Sequence, residues 1–249
     1  MNNGFDNCYF CGKKHWELLG IVEGQNLTRC KECRFIQVNP LPPREEYIKL
    51  YKNLEYHSHR MDENRCRKPW ERLDHDYKLA QSRLDIIEKL KRKGKLLDIG
   101  ASNGSLVKAA NDRGFEAEGT ELDDFICKFA EVANKVKMHC GELKDLKFPD
   151  RYFDVVTAHD VIEHLYSPRE ELEEIYRILK PNGLLVLDTP NMDVFSLAID
   201  GLQWHHIKPK EHIFYLSDEH LRKILADQHF KIECVRHPIE GKSVFYAFK

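Results

Sequence analysis

Apolar residues recur at spacings of three and four from Glu45 to Asn53 and again from Trp70 to Lys93, where Leu73, Tyr77, Ala80, Leu84, Ile87 and Leu90 are separated by charged residues. That periodicity predicts two helices. After Gly94 the pattern changes to short apolar runs that predict strands at Lys95–Ile99, Phe115–Thr120, Val136–His139, Phe153–His159 and Leu184–Asp188. Amphipathic stretches between them predict helices at Ser105–Arg113, Asp124–Asn134 and Arg169–Leu179. Strands alternating with helices imply βαβ units and a parallel sheet. Lys180-Pro181-Asn182-Gly183 ends the last of these helices, because Pro cannot continue it and Asn or Gly tolerates a left-handed turn. A histidine-rich loop follows the fifth strand, then a helix with Ser217 as N-cap beside Glu219. Two final β-like runs, Phe230–His237 and Ser243–Phe248, flank the short turn Glu240-Gly241-Lys242, as a hairpin requires.

The segment before Pro40-Leu41-Pro42-Pro43 lacks such periodicity and reads as Cys-rich and loop-like. The chain therefore divides into residues 1–42, a helical connector or cap over 43–93, and an α/β domain over 94–249. Its 249 residues, 42% hydrophobic and 32% charged, suffice for one sizeable α/β core plus a small appendage. A net charge of −2 disfavours a protein whose affinity comes from neutralising many phosphates. No run of eighteen apolar residues and no basic, then apolar, leader stand in the sequence, so a cytoplasmic protein without a membrane segment is expected.

Half of the eight cysteines form two pairs, Cys8-x-x-Cys11 and Cys30-x-x-Cys33; Cys66, Cys127, Cys140 and Cys234 are scattered singly and read as buried free thiols. Four soft sulfur ligands at knuckle spacing suit a tetrahedral Zn²⁺ and leave no open position for a reacting water, so Cys8, Cys11, Cys30 and Cys33 are expected to hold a structural zinc. About forty residues cannot fold on burial alone, and metal binding supplies the difference. Lys13, Lys14, Arg29, Lys31 and Arg34 surround the ligands; they either offset the charge of the thiolate centre or form a nucleic-acid face.

Leu97-Asp98-Ile99-Gly100-Ala101-Ser102-Asn103-Gly104 runs from strand through a glycine-bearing turn into a helix, and glycines there admit a ligand close to the backbone. Glu121 ends the next strand, placed to accept hydrogen bonds from two ribose hydroxyls. These two features alone suit a nicotinamide dehydrogenase and a methyltransferase equally.

The chain of motifs over residues 70–249 resembles the class I S-adenosylmethionine-dependent methyltransferases. Leu97-Asp98-Ile99-Gly100-x-x-x-Gly104 resembles their first motif, with Ser102 where the family often has a middle Gly. Gly119-Thr120-Glu121 resembles the ribose-binding acid, and Cys140-Gly141-Glu142-Leu143 the acidic loop that meets adenine. Phe148 to Val156 and Asp160 to Leu165 are similar to the fourth-strand motif and its helix, and Leu179 to Leu184 to the segment entering strand five. The resemblance implies a Rossmann-like, mostly parallel seven-stranded sheet whose last two strands form an antiparallel hairpin. It also implies a cofactor site of Asp98, Gly100, Ser102, Gly104, Glu121, Leu122, Glu142, Leu143 and, through its backbone, His159. The N-terminal cysteines, Asn39-Pro40, Leu50-Tyr51 and Tyr56-His57 resemble the zinc-bearing extension of a subgroup associated with sugar and surface-polysaccharide pathways.

A sulfonium already activates its methyl group, so the protein need only align a nucleophile and, for a hydroxyl, remove its proton. Histidine is the expected base. His164 at the end of the fourth strand is one candidate; His206 and His212 are others, in the stretch Trp204 to Tyr215, whose histidines, lysines and aromatics suit a lid that stacks on a ring. His205, His206 and His212 invite a second metal, although a histidine cluster without a carboxylate partner is more often no site. Tyr51, Tyr56, His57 and His59 either close the pocket or pack helices. The expected reaction is methyl transfer to a small polar acceptor such as a sugar or nucleotide-linked sugar hydroxyl. The alternatives are a ribosomal or transfer RNA methyltransferase gripping RNA through its zinc module, and a non-catalytic cofactor-binding scaffold.

Overall fold

A computed structural model describes residues 6–52, 68–90, 93–193, 201–237 and 241–249. Cys66, Tyr56, His57, His59 and the turn residue Glu240 lie outside the described residues. In chain order come β1 (Trp16–Val22), β2 (Gln25–Cys30), β3 (Ile36–Val38), α1 (Arg44–Tyr51), α2 (Leu73–Leu90), β4 (Lys95–Ile99), α3 (Ser105–Asp112), β5 (Glu116–Glu121), α4 (Asp124–Asn134), β6 (Lys137–Cys140) and β7 (Phe153–His159). α5 (Pro168–Ile178), β8 (Leu179–Pro190), β9 (Phe214–Tyr215), α6 (Asp218–Asp227), β10 (Lys231–Arg236) and β11 (Lys242–Phe248) follow.

The larger sheet is the expected Rossmann-like one, seven strands in the order β10-β11-β8-β7-β4-β5-β6. Its β4, β5, β6, β7 and β8 are parallel, and β11 pairs antiparallel with both β8 and β10. The central strands are apolar runs because helices cover both faces: Leu96, Leu97, Val155, Val156, Leu184 and Leu185 are fully buried. α2 turns Ala80, Leu84 and Ile87 inward, as their spacing requires. The side chain of Asp123 caps α4 by accepting from the backbone N–H of Phe125 and Ile126.

Two boundaries differ from the periodicity. β8 begins at Leu179 rather than Leu184, because Leu179 already pairs with Phe153 before the register shifts and Leu184 pairs with Val155. Asn182 makes the turn within that irregularity at φ 60°. The segment before Pro40 is not loop-like: β1, β2, β3 and β9 form a four-stranded antiparallel sheet. β1 is an edge strand of half-exposed and exposed residues, so it shows no alternation to read. β9 has only two residues and comes from far along the chain, pairing Phe214 with Gln37 and Tyr215 with Ile36. Phe35, Phe214, Leu221, Ile224 and Cys30 share one buried cluster with the strands of the larger sheet, so the cysteine knuckles rest on the α/β core.

Ser217 does cap α6, but its reciprocal partner is His220, not Glu219. Ser217 Oγ accepts from the backbone N–H of His220, and His220 Nδ1 accepts from the N–H of Ser217 at 3.3 Å. His220 Nε2 then donates to the carbonyl of Cys33 at 2.9 Å, tying α6 to the second knuckle. Of the single cysteines, Cys127 is buried as expected, whereas Cys140 is exposed and Cys234 half-buried. No helix among the described residues is long and apolar enough to cross a membrane.

Candidate active site and cysteine cluster

The chain runs from β4 to β5 on one side and reaches β7 on the other, so a crevice opens at the carboxyl ends of these strands, where open α/β sheets bind ligands. A cavity of about 570 Å³ fills it. Asp98, Gly100, Ser102, Glu121, Leu122, Glu142, Leu143, His159, His164, His206 and His212 all line this one space.

Gly104 is the expected site residue that does not line it. It is the N-cap of α3 at φ 73°, and a Cβ there would meet Val136 Cγ2 at 2.8 Å and Ala130 Cβ at 3.1 Å. Its lack of a side chain lets α3 start close against Ala130 of α4 and Val136. Gly100, at φ 66°, does reach the cavity, with Val161 Cγ2 only 2.7 Å from where its Cβ would stand. Ser102 also takes a left-handed φ, of 49°, which explains the usual glycine; a serine there carries strain of about 1 kcal/mol. Its backbone N–H donates to Glu121 Oε2 at 3.2 Å, while Leu122 N–H donates to Oε1 at 2.7 Å. The turn thus presents the Glu121 carboxylate at the end of β5. Asn103, which no motif singled out, anchors the turn: its Nδ2 donates to the Pro69 carbonyl and to Asp76, both at 2.9 Å.

Asp98 is 4% exposed and accepts from Thr157 Oγ1 at 2.7 Å. Burial pushes its carboxyl up, against the opposing charge of His159 and the Thr157 hydrogen bond. Glu142 does not stand alone toward a ligand; it pairs with Arg44 of α1 and, at 3.6 Å, with Lys144. Leu143 beside it is buried in the main core.

His159 has a side-chain partner the motif did not reveal. Its Nδ1 bonds Asp188, which also accepts from the N–H of Asp160 at 2.9 Å and from Arg83 at 3.3 Å. Burial acts to raise the Asp188 carboxyl, but His159, Arg83 and Lys242 outweigh it and hold it well below the usual carboxylate range. A carboxyl depressed in the folded state contributes stability that is complete above its unfolded pKa, about 3.9, and is lost as pH falls toward the lower folded value. Thermal melts from pH 6 down to pH 3 are therefore expected to show falling stability, with a shallower slope in Asp188→Ala. At neutral pH that variant is expected to be less stable by about 3–5 kcal/mol, the usual loss on breaking a buried pair. Identical slopes would remove Asp188 as the cause.

The other histidines line the same cavity. His164 lies in a 3₁₀ turn, Ile162–His164, and its Nδ1 is 2.9 Å from Tyr51 Oη and 3.1 Å from the carbonyl of Glu211. Tyr51 Oη donates to that same carbonyl at 2.6 Å, so α1 both lines the pocket and fixes the loop of Glu211. His212 is 6% exposed; its Nδ1 donates to the His206 carbonyl at 2.8 Å, and its ring centre is 4.5 Å from that of His164. His206 is pushed down to about 3, by burial first and then by the charges of His205 and Lys242. The loop's aromatics are not free to stack on a ligand: Phe214 is fully buried in the main core, and Trp204 and Tyr215 pack with Leu27 and Ile36. Glu163, absent from the sequence expectations, is buried on the cavity wall and accepts from Thr189 Oγ1 at 2.9 Å. Burial, then the charge of Asp160, pushes it up to about 8.

Away from the cavity, the four paired cysteines converge. Cys8 and Cys33 Sγ are 3.6 Å apart, as are those of Cys11 and Cys30, and all four sulfurs lie within 4.8 Å of one another. Sulfurs 2.3 Å from a tetrahedral ion stand roughly 3.8 Å apart, so the cluster is compatible with zinc. Of the surrounding cations, Arg29 faces Glu17 at 3.6 Å, and the nearby His15 Nδ1 lies 2.7 Å from Glu32.

Comparisons with known proteins agree with the geometry of the cavity. The sequence model of the family described as "Methyltransferase domain" matches residues 70–235, more than half of the chain. A probable S-adenosylmethionine-dependent methyltransferase of Mycolicibacterium smegmatis is 39% identical over 66 residues, 26% of each chain. A ubiquinone biosynthesis O-methyltransferase of Bradyrhizobium diazoefficiens is 29% identical over 149 residues, 55% of this chain and 58% of that one. The matched stretch thus spans between about a quarter and three fifths of these two relatives' lengths. The crystal structure of a putative methyltransferase from Bacillus halodurans superposes with a TM-score of 0.58 at 18% identity, covering 68% of this chain and 98% of that one, and shows the shared fold. From the residues matched and the sheet they build, the chain belongs to the family of S-adenosylmethionine-dependent methyltransferase domains.

Proposed function

We propose that the protein transfers a methyl group from S-adenosylmethionine to a hydroxyl of a small polar acceptor, such as a sugar or nucleotide-linked sugar. The observation that carries the reading is the shared cavity: the turn of Gly100 and Ser102, Glu121, and the imidazoles of His164 and His212 all line it. The similarity to a ubiquinone biosynthesis O-methyltransferase supports a hydroxyl acceptor.

S-adenosylmethionine, when bound, supplies a methyl carbon on a positively charged sulfur. Glu121 accepts from the ribose hydroxyls, held in place by the N–H groups of Ser102 and Leu122. His159, Asp188 and Lys242 order the floor at the end of β7, where His159 meets the methionine portion. Acceptor and methyl donor meet between this floor and the histidine wall, and the buried walls exclude water from the reacting atoms. His212 or His164 takes the hydroxyl proton. His206 is a poor base because a conjugate acid near pKa 3 barely holds a proton, so it serves as a neutral wall. Cys8, Cys11, Cys30 and Cys33 hold a structural zinc that takes no part in the chemistry.

Calorimetric titration tests the reading. S-adenosylmethionine and S-adenosylhomocysteine are expected to bind and NAD is not, and Glu121→Ala is expected to weaken binding by about 1.5–3 kcal/mol, the worth of hydrogen bonds to a charged group. Preference for NAD, or an unaffected Glu121→Ala, would sink it.

A further inference from the structure

Glu163 is the buried group that methyl transfer leaves unused. It is 2% exposed, one oxygen accepts from Thr189, and the other, Oε1, is buried with no hydrogen-bond partner among the described residues. An orphaned buried carboxyl oxygen is destabilising, by about 1–3 kcal/mol or more, so the fold keeps it against a cost. His164 is its neighbour in the same 3₁₀ turn, and His212 stacks edge-on against His164.

Both imidazoles are oriented as ligands are. His212 Nδ1 faces the carbonyl of His206 at 2.8 Å and His164 Nδ1 faces the carbonyl of Glu211 at 3.1 Å. A carbonyl only accepts, so each contact holds Nδ1 as the N–H and leaves the lone pair on Nε2. Backbone carbonyls orient metal-ligating histidines in this way. The ligand atoms that the three residues offer lie within 4.8 Å of one another. Atoms about 2.0–2.2 Å from one ion stand roughly 3–3.6 Å apart, a difference closed by side-chain movements of less than about 1 Å.

We propose that Glu163, His164 and His212 form a two-histidine, one-carboxylate site for a divalent first-row transition ion. The carboxylate that His205, His206 and His212 lacked in the sequence is supplied by the turn after β7, and His205 and His206 drop out of the ligand set. Three protein ligands leave open positions on such an ion, and all three residues line the cavity. An acceptor hydroxyl coordinated there loses its proton to water; its oxygen forms the bond to the methyl carbon while the carbon–sulfur pair returns to sulfur. That use of the ion rests on the methyl-transfer reading; the binding does not. Coordination and proton acceptance draw on the same imidazole lone pairs, so in the loaded protein the cation, not His212, ionises the acceptor.

The test is a titration of the full-length, zinc-loaded protein with Co²⁺, following visible absorption and bound metal per chain. One saturable equivalent of cobalt beyond the cysteine-bound zinc is expected, with ligand-field bands and no thiolate-to-cobalt charge transfer. Glu163→Gln and His212→Ala are each expected to weaken it at least about tenfold in protein that stays folded and still binds S-adenosylmethionine; His164→Asn replaces either variant that fails to fold. No second equivalent in the wild type, or unchanged cobalt affinity in the folded variants, overturns the site. Wild-type protein that takes cobalt but not S-adenosylmethionine would overturn the methyl-transfer reading and leave the metal site standing.

Discussion

Substituting Cys30 by serine, or stripping the cysteine cluster with a chelator, is expected to unfold the four-stranded sheet and, with it, the loop that carries His206 and His212. Cys30 is fully buried, and Phe10, Phe35, Phe214 and His220 pack as a ring cluster behind the knuckles. β1 exposes much of its length, and the core of this sheet is the small cluster of Leu27 and Ile36 with Trp204, Ile207 and Tyr215. In zinc-finger peptides metal binding contributes about 10–16 kcal/mol, which sets an upper bound for what an ion held by the four cysteines would supply. The damage spreads because β9 is the fourth strand: when β3 loosens, Gln37 and Ile36 release Phe214 and Tyr215, which begin two residues after His212. Hydrogen exchange of residues 27–38 and 214–215 together with the melting temperature checks this. Loss of protection in both segments, with β4 and β7 still protected, is the expected pattern; unchanged protection after metal removal would show that side-chain packing alone holds the sheet.

Replacing His212 by alanine is expected to lower kcat by about 10²–10⁴-fold, the usual contribution of a positioned general base. The imidazole is 6% exposed, its tautomer is set by the His206 carbonyl, and it faces the cavity beside His164. His206→Ala is expected to change KM more than kcat, since its conjugate acid near pKa 3 leaves it neutral and weakly basic throughout the working range. Single-turnover assays with a methylated product as readout separate the two. Equal losses in both variants would assign the histidines to shaping the wall and not to proton transfer. The kcat loss in His212→Ala follows whether the imidazole takes the proton or holds a cation, and the cobalt titration decides between those.

The alternation of strands and helices after Gly94, the glycine turn before α3, the acid ending β5 and both cysteine pairs were readable in the sequence. Each is a local property: apolar periodicity over one element, backbone sterics over a few residues, or ligand spacing within one turn. Even the correct placement of Asp98, Glu121 and His159 at one cavity follows locally, because residues at the carboxyl ends of parallel strands share an edge.

Contacts between distant segments were decided only by the tertiary structure. Gly104 reads like its partner Gly100, yet the packing of Val136 and Ala130 turns it into a helix-packing residue. The lid aromatics became core because β9 completes a sheet whose other strands lie near the N-terminus. Asp188 behind His159, Arg44 against Glu142, Tyr51 on the Glu211 carbonyl and His212 beside Glu163 and His164 join residues from separate elements. No sequence pattern records such pairs, because a side chain's partner depends on which elements the sheet order brings together, while periodicity reports only which face of its own element it occupies.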